Sequence, residues 1–202
     1  MTGILAVWND RSEGRTADYE SWYMTEHIPE RLGVPGFRTA LRYEAIEADR
    51  QFFTFYEVDS PDVLISEVYM TRLANPTVLT RAIMPDFLGM IRSVFVETSR
   101  EGRGIGGAAV VVRYAQPDAP APSISGVVEP SEIISIRRWT AAPGNVPTET
   151  TEARIRPGRD EVASGAFVIE TLRAETAQRL AAALKSDGAA IGTYRLLYAG
   201  TN

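Results

Sequence analysis

The sequence predicts an α+β fold: two ferredoxin-like β-α-β-β-α-β units fused in one chain. Three observations carry that prediction. Residues 1–99 parse as strand, helix, strand, strand, helix, strand. After a glycine-rich stretch, strand-like segments resume, so element order repeats where sequence identity does not. The chain is also large and apolar enough, at 202 residues and 45% hydrophobic, to bury a sizeable core. The expected organisation is a first repeat over 1–99 that carries the candidate site, a joint over 100–107, and a second repeat over 108–202 that lacks a clear first helix.

The first unit reads cleanly. Ile4 to Trp8 is a short apolar strand that ends at the turn signal Asn9-Asp10. Thr16 to Leu32 reads as a helix, because Thr16 can cap it and Tyr19, Trp22, Tyr23 and His27 recur at helical spacing. Pro29 predicts a bend or an end there. Gly33-Val34-Pro35-Gly36 is a turn. Phe37 to Ile46 alternates as a strand, with Phe37, Thr39, Leu41 and Tyr43 on one face and Arg38, Ala40, Arg42 and Glu44 on the other. Phe52 to Val58 is the next strand. Ser60-Pro61-Asp62 opens a helix toward Leu73, with Ser60 as cap and Pro61 in its first turn. Asn75-Pro76-Thr77 breaks it, a second helical piece runs toward Phe87, and Ile91 to Thr98 is the closing strand.

The second unit is sparser. Strands are predicted at Ala108–Tyr114, Ile133–Thr140, Ala166–Leu172 and Ile191–Tyr198, with a helix at Ala174–Ser186. Gln116 to Pro130, where a first helix should lie, is rich in Pro, Ser and Ala, and prolines there do not support a regular helix. Ala142 to Arg159 reads as a polar loop with three prolines. Each sheet has one face that its own helices leave open. Packing the two open faces together gives a barrel-like body with a central space, where a pocket is expected. The half without its first helix leaves apolar surface for a further homodimer.

Composition removes much chemistry. There are no cysteines, so disulfides, thiol nucleophiles and thiolate metal sites are excluded. One histidine, His27, gives a zinc site too few ligands, and no acidic loop resembles a calcium site. Any Ser-His-Asp triad must use His27, and any Schiff base must use the lone Lys185, which reads as a helix-terminal charge. A net charge of −5 disfavours nucleic acid as a partner. No run approaches a membrane span and no leader is evident, so a cytoplasmic protein is expected. Gly102-Arg103-Gly104-Ile105-Gly106-Gly107 satisfies G-x-G-x-x-G formally. However, β-branched residues follow it rather than a helix, which argues for a joint and against a dinucleotide.

His27 is the candidate catalytic residue, since an imidazole accepts or donates a proton near neutrality. Glu26 and Glu30 are close enough in sequence to orient it or raise its pKa. The structural alternative is a histidine that ties the helix end to the next turn. Trp8, Tyr19, Tyr23, Tyr43 and Tyr56 are candidate contacts for an aromatic ligand, against the alternative of ordinary core packing. Arg38, Arg42 and Arg92 could neutralise a developing anion, but the favoured reading puts the β-strand pair outside, solvated or paired with helix carboxylates.

Trp22-Tyr23-Met24-Thr25-Glu26-His27-Ile28-Pro29-Glu30, followed by Val34-Pro35-Gly36-Phe37, resembles the EthD-like group of the dimeric α/β-barrel superfamily. The resemblance covers residues 1–98, is strongest over 19–43, and extends to the second half in element order only. Residues 75–87 look like an elaboration of that group. The resemblance implies the fold strongly and a reaction weakly, because its members include ring-opening, cyclising and cofactor-free oxidising enzymes as well as heme-binding relatives. The leading expectation is an enzyme without metal or nucleotide that acts on a small apolar, aromatic or polyketide-like molecule, with His27 as general acid/base. A non-catalytic binder or scaffold, and a heme protein with His27 as axial ligand, are the alternatives.

Overall fold

In the computed structural model, which describes residues 1–116, 119–144, 149–184 and 188–202, eight antiparallel strands close a barrel. The strands are β1 (Gly3–Arg11), β2 (Phe37–Glu47), β3 (Phe52–Val58), β4 (Phe87–Gly102), β5 (Ala108–Tyr114), β6 (Ile133–Ala141), β7 (Gly165–Thr171) and β8 (Ala189–Thr201). Around the barrel they run β1-β3-β2-β8-β5-β7-β6-β4. Read from β4, the order β4-β1-β3-β2 recurs as β8-β5-β7-β6. The β2–β8 and β4–β6 ladders close the ring between the halves.

Period-two alternation decides which side chains enter the barrel. On β1, Ile4, Ala6 and Trp8 point inward while Leu5 and Val7 point outward. The interior joins both halves in one core and contains Trp8, Tyr43, Phe53, Phe55, Phe95, Trp139 and Tyr194. Trp8 stacks on Phe53 at 4.9 Å between centroids, and Phe55 meets Trp139 edge-on at 4.9 Å. These rings fill the centre, as side chains can in a barrel of eight strands. The central space expected from sequence is therefore packed, and the candidate cavity lies outside the barrel wall.

Most strand positions match the prediction, with longer ends. The helices depart from it in instructive ways. The predicted Thr16–Leu32 helix is three pieces: α1 (Thr16–Trp22), a π-helical turn (Tyr23–His27) and α2 (Ile28–Leu32). Arg15, not Thr16, occupies the cap position, and no side chain caps it. Pro29 neither ends nor visibly bends the run. It sits in the first turn of α2, and the Ile28 amide reaches back to the Tyr23 carbonyl in the wider π spacing.

Ser60 and Pro61 start a 3-10 turn, Pro61–Ile65. Ser66 caps the true helix α3 (Glu67–Ala74) through the Tyr69 amide. Thr77 caps α4 (Val78–Ile83), and a 3-10 turn, Met84–Asp86, leads into β4. On β2 a bulge between Phe37 and Thr39 puts Phe37 on the helix-covered face with Ala40, so the predicted strict alternation fails there.

In the second half, the described residues between 116 and 129 form no helix, and a 3-10 turn begins at Pro130 (Pro130–Glu132). The polar loop 142–159 does contain a helix, the short α5 (Thr151–Ile155), capped by Thr150. Helix α6 spans Ala174–Ala183, and Lys185 lies outside the described residues. The glycine-rich stretch is partly strand, since β4 runs to Gly102. A Cβ on Gly106 would lie 2.5 Å from the Thr171 carbonyl oxygen, so that glycine permits close backbone packing, and strand β5, not a helix, follows.

Candidate functional site

The cavity forms where the first-half helices lie across the outer face of β1, β3 and β4. Leu5 and Val7 come from β1, Thr54 and Tyr56 from β3, and Met90 and Arg92 from β4. Tyr23, His27 and Arg31 form the opposite wall at successive intervals of four residues, a spacing that keeps them on one helix face. Tyr69 and Leu73 from α3, with Met84 and Phe87, close one side. The remaining wall comes from the second half, where Thr150, Glu152, Arg156 and Asp160 reach over from α5 and the loop after it.

His27 packs among rings. Trp22 lies 4.3 Å away between centroids, Tyr23 5.2 Å and Tyr56 6.4 Å. Its Nδ1 is buried without a hydrogen-bond partner, so His27 does not tether the helix end through that atom. Burial pushes its pKa well below 6.5, and the charges of Arg31, Arg42 and Arg156 push the same way. The imidazole is therefore neutral at neutral pH.

That corrects the expectation that Glu26 or Glu30 would orient His27 or raise its pKa. Glu26 instead accepts from Thr77 Oγ1 at 2.5 Å and Thr80 Oγ1 at 2.8 Å, and Thr80 Oγ1 accepts from the Trp22 indole at 3.0 Å. This network fastens α4 to the π-helical turn. Glu30 lies between Arg31 and Arg72 at 3.8 and 3.5 Å.

Arg31 is the most constrained cation at the site. Its Nη2 donates to both Glu152 oxygens at 2.7 Å, while Nη1 is buried without a hydrogen-bond partner. Burial alone would lower its pKa, but Glu152 more than offsets that, so the guanidinium stays charged. Arg156 pairs with Asp160 at 2.5 Å, and Arg92 donates to the Tyr69 hydroxyl at 3.3 Å. The Tyr56 hydroxyl and Thr54 Oγ1 are buried and unpartnered. Burial holds the Tyr56 phenol well above its usual pKa of 10, so it is a neutral hydroxyl that can donate.

The predicted site residues separate into two groups. His27, Tyr23 and Tyr56 meet in the cavity. Tyr19 is one layer back, its ring 5.1 Å from Tyr23 and its hydroxyl accepting from Asn9 at 2.9 Å. Trp8 and Tyr43 lie inside the barrel and cannot touch a ligand in this cavity; Tyr43 donates to the buried Glu170 at 2.9 Å. Arg42 is on the outer face and pairs with helix residue Glu20 at 2.5 and 2.8 Å. It is buried against the Tyr23 ring rather than solvated, whereas Arg38 is exposed.

Sequence reasoning missed Arg31, Thr54 and every second-half contributor. Arg31 was findable, being one turn after His27 on the same face. Glu152 was not, because 121 positions separate it from Arg31.

Among the described residues no group of His, Cys, Asp and Glu could hold a metal ion. Among the same residues no helix is long and apolar enough to cross a membrane. The cavity is partly open to the surface, and its free space is about 40 Å³, room for roughly three waters. A porphyrin against His27 does not fit it, and neither does any polycyclic ligand unless a wall moves.

No family model and no curated protein matches the chain in sequence. Solved structures match its fold across nearly the whole length. An anthrone oxidase-like protein superposes with a TM-score of 0.59 at 8% identity, covering 99% of this chain and 92% of that one. A monooxygenase candidate from Fusobacterium nucleatum subsp. nucleatum gives 0.55 at 8% identity, covering 99% and 94%. Another from Lactobacillus acidophilus gives 0.54 at 9%, covering 100% and 97%. These likenesses are of fold alone: an α+β chain whose eight-stranded antiparallel barrel closes within one polypeptide.

Proposed function

We propose that this chain is a small-molecule enzyme of the EthD-like kind, built from two fused ferredoxin-like repeats, that acts on an apolar aromatic or polyketide-like substrate with His27 as general base and with neither metal nor nucleotide. The recurring strand order supports the fused repeats. The likeness to an anthrone oxidase-like protein and to monooxygenase candidates supports a small-molecule enzyme, and an anthrone is the substrate type we propose. One observation carries the chemistry: a neutral imidazole with an unpartnered nitrogen faces an apolar-walled cavity that also holds an unpartnered tyrosine hydroxyl and three guanidinium groups.

His27 takes a proton from a ring carbon next to a carbonyl. An imidazole of lowered pKa is a weak base, so the step depends on stabilising the enolate that forms. The Tyr56 hydroxyl donates to the enolate oxygen, and Arg31 and Arg156 supply positive charge in a site with little water. Leu5, Val7, Leu73, Met84 and Phe87 hold the apolar rings. With an anthrone-type substrate, dioxygen then oxidises the enolate: the CH2 carbon becomes C=O, one oxygen atom going to that carbon and the other leaving as water with the two hydrogens.

The test is aerobic incubation with 1,8-dihydroxyanthrone, following quinone absorbance and oxygen uptake. The expected result is equimolar uptake and product. His27→Ala should lose about 100-fold or more, while staying folded at a cost of about 1–3 kcal/mol. Full activity in that variant, or no oxygen uptake by the wild type, would overturn the proposal.

A further inference from the structure

We infer that the second half closes the cavity with a strap, residues 149–161, and that a ligand's own anionic group opens it by taking Arg31 from Glu152. This names a ligand class for the proposed site and so rests on that reading.

The space is too small for its expected ligand, so a wall must yield: about 40 Å³ is free, against the several hundred Å³ of ordinary ligand pockets. Three of the walls are strongly held. The sheet is laddered on both sides, the π-helical turn is packed in a cluster of rings, and Tyr69, Leu73, Met84 and Phe87 are buried in the first-half core. The fourth wall is the strap, which is held differently. Its only helix, α5, is five residues long and too short to be stable by itself. The side-chain ties from α5 to the first half are an apolar one, Ile155 against the first-half core, and an ionic one, Glu152 on Arg31. Beyond it the strap is fixed to β4, where Glu161 exchanges backbone hydrogen bonds with Met90 and Arg92 at 2.8 and 2.9 Å. The strap is thus anchored at its C-terminal end and latched in its middle, an arrangement that opens locally.

The latch has the chemistry of a ligand. Glu152 is a buried carboxylate, delivered from the other half of the chain, that lines the cavity and occupies Nη2 of a buried guanidinium. Arg31 Nη1 remains unpartnered, with the nearest Glu30 oxygen at 3.8 Å, so an incoming anion has a donor to bind before Glu152 leaves. The lining holds three guanidinium groups against two carboxylates, which favours an anionic occupant. A carboxylate, phenolate or enolate on an aromatic frame satisfies Nη1 and then replaces Glu152, and the strap lifts to admit the rings. A neutral isostere with no acidic proton has nothing with which to displace the latch.

The probes are anthracene-9-carboxylate and its neutral analogue 9-anthracenemethanol, titrated by fluorescence at pH 7.5. The wild type should bind the carboxylate at least tenfold more tightly. Glu152→Gln should tighten the carboxylate at least fivefold and the alcohol less than twofold, and Arg31→Met should erase the preference. Should either variant fail to fold, amide hydrogen exchange on the wild type decides: residues 149–161 should exchange faster with the carboxylate bound and be unchanged by the alcohol. Equal affinity for the two probes, no binding of either, or unchanged exchange in the strap would overturn the inference. Anthrone turnover without charge preference would sink the strap alone. Charge-selective opening without turnover would sink the enzymatic reading alone.

Discussion

Two sheet faces of the barrel lie under helices, and they are filled with different material. Over the second half, α6 and the irregular residues 119–128 cover Ala108, Val110, Val112, Phe167 and Ile169, an almost wholly aliphatic layer. Over the first half, four helices cover a layer of tyrosines, His27, Arg31 and Arg42. Among the described residues, every buried side-chain nitrogen or oxygen without a hydrogen-bond partner falls between Trp8 and Asp86. The same strand order therefore supports one face that is satisfied and one that is not. Apolar burial stabilises wherever it occurs. An unpartnered buried polar atom costs free energy until something pairs with it. The second-half face is thus a satisfied, mainly stabilising layer, and the first-half face is where the proposed binding would be made.

The largest effect should come from the stabilising side. Ile169 is fully buried in the second-half layer, and Ile169→Ala should cost about 2–5 kcal/mol in chemical denaturation. Affinity of the folded protein for an anthracene probe should not change. A loss under about 1 kcal/mol, or a weakened probe affinity, would break the division between the two faces.

Much of this contrast was legible in the sequence, and the illegible part has a physical cause. The eight described strands were legible mainly as short apolar or β-branched runs bounded by turn residues, a local signal that burial on both faces reinforces. The prolines near Gln116 argued against a first helix in the second half, and the described residues of that stretch form no α-helix. His27, Tyr23 and Tyr56 could be named as candidates because rare or aromatic residues at helical and strand spacing stand out locally, and all three line the same cavity. Trp8 and Tyr43 were misassigned because β1 and β2 bury both faces, so hydrophobicity could not say which side of the wall they occupy. The π-helical turn before Pro29 and the bulge after Phe37 were invisible because each is a local compromise with tertiary packing. Glu152 and Arg156 were beyond reach because their place depends on a long loop crossing to the other half.

The next effect is a pH dependence confined to the first-half face. The native pKa of His27 is depressed, chiefly by burial, whereas the unfolded chain takes up a proton there below about 6.5. The unfolded state therefore binds more protons, and stability falls as pH drops below that value. Above it the contribution is fully present. The slope should reach at most about 1.4 kcal/mol per pH unit and should be flattened in His27→Gln. As the only histidine, His27 gives one imidazole resonance, whose titration midpoint should lie well below 6.5. A midpoint at or above that value would mean the ring is solvated, and the neutral base would be lost with it.

The smallest effect, and the sharpest for the comparison, is to make one first-half position resemble the second half. Tyr56 is 2% exposed, and its hydroxyl has no partner. Tyr56→Phe removes that oxygen, keeps the ring that packs edge-on against Phe37 and faces His27, and creates no cavity larger than the hydroxyl. Since the buried hydroxyl is unpaired in the free protein, its removal should stabilise the fold by up to about 1 kcal/mol. The same change should slow anthrone turnover, because the donor to the enolate oxygen is gone. Gain in one measurement and loss in the other is the signature of a group kept for a ligand. A variant destabilised by more than about 1 kcal/mol would show that the hydroxyl is paired inside the protein after all. In that case Tyr56 would belong with the satisfied layer of the second half, and the unpartnered set at the cavity would shrink to His27, Arg31 and Thr54.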